Sequence, residues 1–159
     1  MSLLDKEPVK RVQKFLKEFD KSLEVIILEN SARTAQDAAT ALDCNVGAIV
    51  KSLLFKTEDS FMLCLIAGDK RCSLNKLKSV KDKENISMAS PEDVKTQTGY
   101  TIGGVSPVGH LKKIEIIIDN SLERFNELFA AAGHPNCVFK INFINIQEIT
   151  NGKVKDIIE

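Results

Sequence analysis

The chain has no surplus of either charge: 22 Lys and Arg stand against 22 Asp and Glu over 159 residues. That balance excludes the bulk cationic coat of a histone-like DNA binder, so no DNA partner is expected, while a local basic patch stays compatible with it. It has no apolar run of the roughly 20 residues that span a bilayer, so no membrane partner is expected. Met1 to Glu7 holds no apolar stretch and carries Asp5 and Glu7 early, so no secretory leader is expected there. The four cysteines, Cys44, Cys64, Cys72 and Cys137, form no C-x-x-C pair, and the only histidines are His110 and His134. These are too few ligands at useful spacing for a zinc ribbon or a catalytic zinc, so neither metal nor cofactor is expected. Thiols without a disulfide spacing, two of them inside apolar runs, point to a reduced, cytoplasmic protein.

What is present is ordinary for a globular protein: 43% hydrophobic and 28% charged residues, enough for a core without staples. No linker or repeat divides residues 1–159, and the length is that of one domain, on the order of 100–150 residues. Glu7 to Phe19 places Val9, Val12, Phe15, Leu16 and Phe19 at helical spacing, with Pro8 in the first turn. Leu23 to Leu28 reads as a β-branched strand, and Thr34 to Asp37 as a capping box opening a helix to Leu42. Ile49–Lys56 and Phe61–Ala67 read as a hairpin across Thr57-Glu58-Asp59-Ser60.

Ser73 to Val80 reads as a lysine-rich helix, and Ser90-Pro91-Glu92-Asp93 as a strong helix start ending at Gly99. Ile114 to Asp119 is a continuous apolar run, hence a buried strand. Ser121 to Ala132 is predicted as a helix with Leu122, Phe125, Leu128 and Phe129 inward, closed by Gly133. Cys137 to Phe143 is predicted as the last strand, before a short helical piece and a polar tail. Interleaved strands and helices give a mixed α/β (α+β) fold around one sheet.

Lys51 stands out first. Alternation puts it on the same side as Ile49, Leu53 and Phe55, where a lysine must pair, snorkel to an edge or line a cavity. The segment Gly99 to Gly109 stands out second, with four glycines and Ser106-Pro107 between a helix and a buried strand. Glycine lets backbone approach a ligand, and proline fixes the directions of nearby N–H and C=O groups. It has neither the G-x-G-x-x-G spacing of a dinucleotide fold nor the Gly-Lys-Ser/Thr of a P-loop. A tight connection is its alternative reading.

His134 follows the predicted helix end, where a C-cap role competes with a catalytic one, and His110 ends the glycine loop. Asp119 has no second acid beside it at a recurring spacing, and Ser106 lacks a G-x-S-x-G context.

Lys51 within Gly47-Ala48-Ile49-Val50-Lys51-Ser52-Leu53-Leu54-Phe55, followed by Gly103-Gly104-Val105-Ser106-Pro107-Val108-Gly109, resembles the YbaK/ProX family. Ser31-Ala32-Arg33-Thr34-Ala35 and Ala131-Ala132-Gly133-His134-Pro135 also resemble family features, and the likeness covers nearly the whole chain in order. The family comprises bacterial domains that edit mischarged tRNA, free-standing or inserted in prolyl-tRNA synthetase. The resemblance implies a single domain with a mixed, partly barrel-like sheet and surrounding helices. It also implies hydrolysis of the ester joining a wrong amino acid to tRNA.

On the same basis Lys51 anchors substrate and stabilises charge near the terminal adenosine. Gly103, Gly104 and Ser106 supply backbone to the aminoacyl end and water, with Val105 and Pro107 completing the loop. Ala132, Gly133 and His134 form the later pocket segment, while Arg33, Lys70 and Arg71 are candidate phosphate contacts whose alternative is solvated surface charge. An activated ester with a vicinal ribose hydroxyl needs orientation and oxyanion stabilisation more than a nucleophile or metal. The implied partners are the acceptor end of a mischarged tRNA and a prolyl-tRNA synthetase. His134, where thiol-dependent members carry a serine-glycine-glycine turn, favours alanine or another small side chain over cysteine. A non-catalytic tRNA or synthetase binder and a small-nucleotide binder remain alternatives at this stage.

Overall fold

The structure is a computed structural model and describes residues 2–159. Helix α1 (Glu7–Phe19) buries Val9, Val12 and Leu16 on one stripe, with Pro8 in its first turn. Strand β1 (Val25–Ile27) is shorter than its apolar run. Helix α2 (Ala35–Leu42) starts as the capping box predicts, Thr34 Oγ1 accepting the Asp37 N–H at 3.1 Å. Strands β2 (Ile49–Lys56) and β3 (Phe61–Ala67) form the hairpin in antiparallel register, Lys51 opposite Ile66 and Ser52 opposite Leu65.

Helix α3 (Leu74–Lys81) follows, then a two-residue strand β4 (Ser87–Met88) and helix α4 (Pro91–Thr98), which Ser90 caps and Gly99 ends. Strand β5 (Glu115–Asp119) is the buried strand of the apolar run. Strands β6 (Leu128–Ala131) and β7 (Cys137–Ile141), helix α5 (Phe143–Thr150) and strand β8 (Lys153–Lys155) complete the chain.

The sheet is mixed, in the order β1-β7-β6-β2-β3-β5-β8, with β4 paired to β2 off that path. β6 lies parallel to β2, and β5 lies parallel to both β3 and β8. The larger apolar cluster packs α1 and the Tyr100–Val108 region against the face carrying Val50, Leu54, Leu63 and Leu65. A smaller cluster holds Phe55, Met62, Cys64 and Ile66 on the opposite face.

Two expectations are corrected. Residues 121–132 are not a helix: Asp119 caps a single 3-10 turn over Asn120–Arg124, and the chain then extends into β6. Leu128 and Ala130 are buried and Phe129 and Ala131 half-buried, the period of a strand. High helix propensity of Leu and Ala is overridden by pairing to β2 on one side and β7 on the other. His134 therefore follows a strand, not a helix end. The polar tail also forms structure: β8 adds to β5, and the buried Ile157 N–H donates to Asp119 Oδ1 at 2.8 Å.

Candidate functional site

The sheet has a split beside β2. On the side away from β3, β6 pairs only with Ile49 and Val50, and β4 only with Phe55 and Lys56. Ala89 N–H also reaches Leu54 C=O at 3.0 Å, leaving residues 51–53 without a neighbouring strand on that side. A cavity of about 370 Å³ opens there, within the size range of small-molecule sites. Its lining is mostly apolar, including Val50, Leu54, Val105 and Phe129, with Lys51, Ser52, Arg33, Thr34 and His134 as polar members. Met88 and Ile102 stand in its wall with 57% and 59% exposure, so the mouth is apolar and open to solvent.

Lys51 is half-buried at this split, and its Nζ donates to the Lys70 carbonyl. Burial pushes its pKa below the usual lysine value; the nearby Asp69 carboxylate opposes that shift and the Arg71 guanidinium adds to it. Asp69 is itself clamped by Arg124, Nη1 and Nη2 donating to its two oxygens at 3.0 and 2.7 Å. The turn that supplies the Lys70 carbonyl is thus tied down by a bidentate ion pair.

The glycine loop forms another wall. Gly103 lines the cavity with φ +96°, a conformation that side-chain-bearing residues rarely adopt. Gly104 carries no side chain because a Cβ there would lie 2.9 Å from the His134 backbone nitrogen. Its carbonyl accepts the Gly133 N–H at 3.0 Å, clipping the loop to the segment after β6. Behind the loop, the buried Tyr100 hydroxyl sits 2.6 Å from the Val108 carbonyl and 3.0 Å from that of Gly109. Arg11 Nε also donates to the Gly109 carbonyl, at 3.0 Å, with its guanidinium 4.9 Å from the Tyr100 ring centroid. His110 Nε2 meets the Ser106 carbonyl at 2.7 Å, and burial pushes its pKa down. His110 supports the loop from the rear and does not line the cavity.

His134 does line it. Its Nδ1 accepts the Asn136 N–H at 3.0 Å, so the neutral ring carries its proton on Nε2. Burial, Lys6 and Arg33 all push its pKa below the ordinary histidine value, favouring the neutral form.

Of the residues singled out in the sequence, Lys51, Gly103, Val105, Arg33 and His134 meet at one cavity. Gly104, Pro107, Ala132 and Gly133 do not line it, and Gly104 and Gly133 shape its wall through their backbone contact. Ser106 is fully buried, its Oγ accepting the Val108 N–H at 3.3 Å, and it does not reach the lining. Lys70 contributes its carbonyl to Lys51, and Arg71 its charge; neither lines the cavity. Sequence reasoning passed over Ser52, Met88, Ile102 and Phe129. Ile102, an isolated apolar residue inside the glycine loop, was the one with a readable signal.

A mixed-sheet domain with an apolar cavity, a half-buried lysine and a glycine-rich wall has room for a ligand that is polar at one end. The family model for the aminoacyl-tRNA editing domain matches residues 29–148, and the chain belongs to that family. It is 32% identical over 147 residues to the uncharacterized protein YwhH of Bacillus subtilis, covering 92% of this chain and 93% of that protein. It is 34% identical over 106 residues to the proline–tRNA ligase of Thermosipho africanus, covering 67% of this chain but 18% of the ligase. Among solved structures, a proposed trans-editing enzyme for prolyl-tRNA synthetase superposes with a TM-score of 0.91 at 35% identity. That likeness covers 97% of this chain and 98% of the other. No helix among the described residues is long and apolar enough to cross a membrane.

Proposed function

We propose that residues 1–159 form one trans-acting editing domain that hydrolyses the ester of a mischarged tRNA. The substrate is tRNA(Pro) carrying a small non-cognate residue, alanine ahead of cysteine. The observation that carries this reading is the half-buried Lys51 ammonium at the split in the sheet, in one cavity with Gly103 and His134. The family and the likeness to the proposed trans-editing enzyme support it.

Lys51 anchors the terminal adenosine end and stabilises charge there, while loop backbone at Gly103 and Val105, held in place by Gly104 and Ser106 behind it, faces the aminoacyl end and the water. The vicinal ribose hydroxyl orients that water. Its oxygen bonds to the ester carbon and the bond from that carbon to the ribose oxygen breaks. One proton goes to the ribose oxygen and one to solvent, releasing amino acid and free tRNA. Preorganised donors suffice because the ester is already activated. His134 and Phe129 bound the space left for a side chain, which sets an upper size limit in the manner of a second sieve. Arg33, with Lys6 nearby, meets phosphate at the mouth. The partners are the tRNA acceptor end and a prolyl-tRNA synthetase, and the setting is cytoplasmic.

The test is single-turnover deacylation of tRNA(Pro) charged with alanine, cysteine, serine or proline, by wild type and Lys51→Ala. Rapid loss of alanine, with proline spared and the variant inactive but folded, is expected. No ester hydrolysed by the wild type, or full activity in Lys51→Ala, would overturn the reading.

A further inference from the structure

The Ser52 hydroxyl is a buried oxygen with no hydrogen-bond partner, on a residue that lines the cavity. Its side chain shares a strand face with Val50 and Leu54, so the hydroxyl is an isolated polar group on an apolar wall. Buried polar atoms are nearly always paired, and an orphan beside a cavity points to a ligand.

The backbone repeats the pattern. Gly68 N–H donates to the Ile49 carbonyl at 2.8 Å, so in the alternating ladder Ile49, Lys51, Leu53 and Phe55 exchange hydrogen bonds with β3. The N–H and C=O of Ser52 then point the other way, into the split that neither β6 nor β4 fills. One residue thus turns a backbone donor and acceptor into the split, with an unpartnered hydroxyl buried beside them.

We infer that the aminoacyl group docks on this open edge as a one-residue β-pair with Ser52. The ester carbonyl accepts the Ser52 N–H, and the α-ammonium donates to the Ser52 carbonyl and to Oγ. This is strand addition reduced to a single residue. It selects α-aminoacyl esters with a free ammonium over simple acyl esters, and it sets the ester carbon between β2 and the glycine loop. The inference rests on the deacylase reading and extends it by naming what recognises the amino acid's own backbone.

The test compares alanyl-tRNA(Pro) with propionyl-tRNA(Pro), which lacks only the ammonium, in wild type and Ser52→Ala. Each rate is divided by its spontaneous rate. Loss of a hydrogen bond to a charged group lowers alanyl turnover by about tenfold or more in Ser52→Ala, while the propionyl rate stays unchanged. A second measurement follows the Ser52 amide resonance of the wild type while 3′-alanylamido-3′-deoxyadenosine, a non-hydrolysable mimic, and its propionyl counterpart are titrated in. A downfield shift of the Ser52 amide, with tighter binding of the alanyl compound, is expected.

Equal effects of Ser52→Ala on both esters, no effect on either, or an unmoved Ser52 amide would overturn the pairing. A wild type that hydrolyses neither ester overturns the deacylase reading. In that case the amide shift and the binding preference still decide the pairing.

Discussion

The two faces of β2 meet the same cavity with opposite chemistry. The face carrying Lys51 and Leu53 lies over the smaller apolar cluster and is close to Asp69, Lys70 and Arg71. The face carrying Ser52 lies over the larger cluster and opposes the glycine loop, where the groups offered are backbone and one hydroxyl. The contrast follows from the cost of burying charge. A lysine is tolerated where a carbonyl and solvent can share its proton, whereas deep in the apolar face only neutral groups are cheap enough. The proposed substrate, an ester with a charged end and a reacting carbonyl, would use both kinds of wall.

The sharpest break of this contrast is Lys51→Met, which makes both faces apolar. Deacylation should fall to background, while stability is kept or raised. The folded state depresses the Lys51 pKa, so the unfolded chain holds that proton more tightly. Stability of the wild type should therefore rise with pH from the depressed value toward the ordinary lysine value, and Lys51→Met should lose that rise. Thermal melts from neutral to alkaline pH, run beside the activity assay, check both halves.

Next in size is Gly104→Ala, which strikes the neutral wall. Its Cβ would meet His134 and Gly133 backbone at 2.9 and 3.1 Å, and backbone cannot rotate away. A loss of about 1–3 kcal/mol is the usual cost of such overpacking, and the loop shift should also cut turnover. Urea denaturation with single-turnover rates would separate the two variants: Lys51→Met costs activity alone, Gly104→Ala costs both.

Much of this was legible in the sequence, for identifiable reasons. The capped starts of α2 and α4 and the β2–β3 hairpin rest on local signals, and each formed where those signals stand. Lys51 was visible because a charge in an apolar row breaks a period, and the glycine loop because four glycines cluster. β6 was hidden because Leu-Phe-Ala-Ala suits a helix, and only pairing to β2 and β7 makes it a strand. Ser52 was hidden for a related reason. A serine in a strand is unremarkable until the absence of a neighbour beside it is known, and that absence depends on where β6 ends and β4 begins.

A smaller effect tests the support behind the neutral wall. Tyr100→Phe removes the hydroxyl beside the Val108 and Gly109 carbonyls, and the burial that pushes its pKa up to about 12 also keeps water from replacing it. Stability should drop by about 1–3 kcal/mol, the cost of stranding buried acceptors. Arg11 still holds Gly109, so the loop should keep its path and turnover should fall less than in Gly104→Ala. Equal losses of turnover in the two variants would show that the wall depends on its rear support as much as on the close backbone contact.

The smallest effect belongs to the charged wall. Arg124→Ala breaks the bidentate pair with Asp69 on the turn that supplies the Lys70 carbonyl. The pair is partly exposed, so the loss should be about 0.5–1 kcal/mol. Arg124 also holds the Asp69 carboxyl below its ordinary pKa, which fixes the sign of the pH dependence. The stabilisation is complete above the unfolded carboxyl value, about 4, and is lost as pH falls through the depressed folded value. The stability gap between wild type and Arg124→Ala should therefore be constant near neutrality and close in acid. Turnover should fall a few-fold at most, because Lys51 keeps its place in the cavity while its acceptor loosens. A gap that persists in strong acid would mean that Arg124 acts through its packing on Phe125, where its guanidinium lies 4.9 Å from the ring centroid.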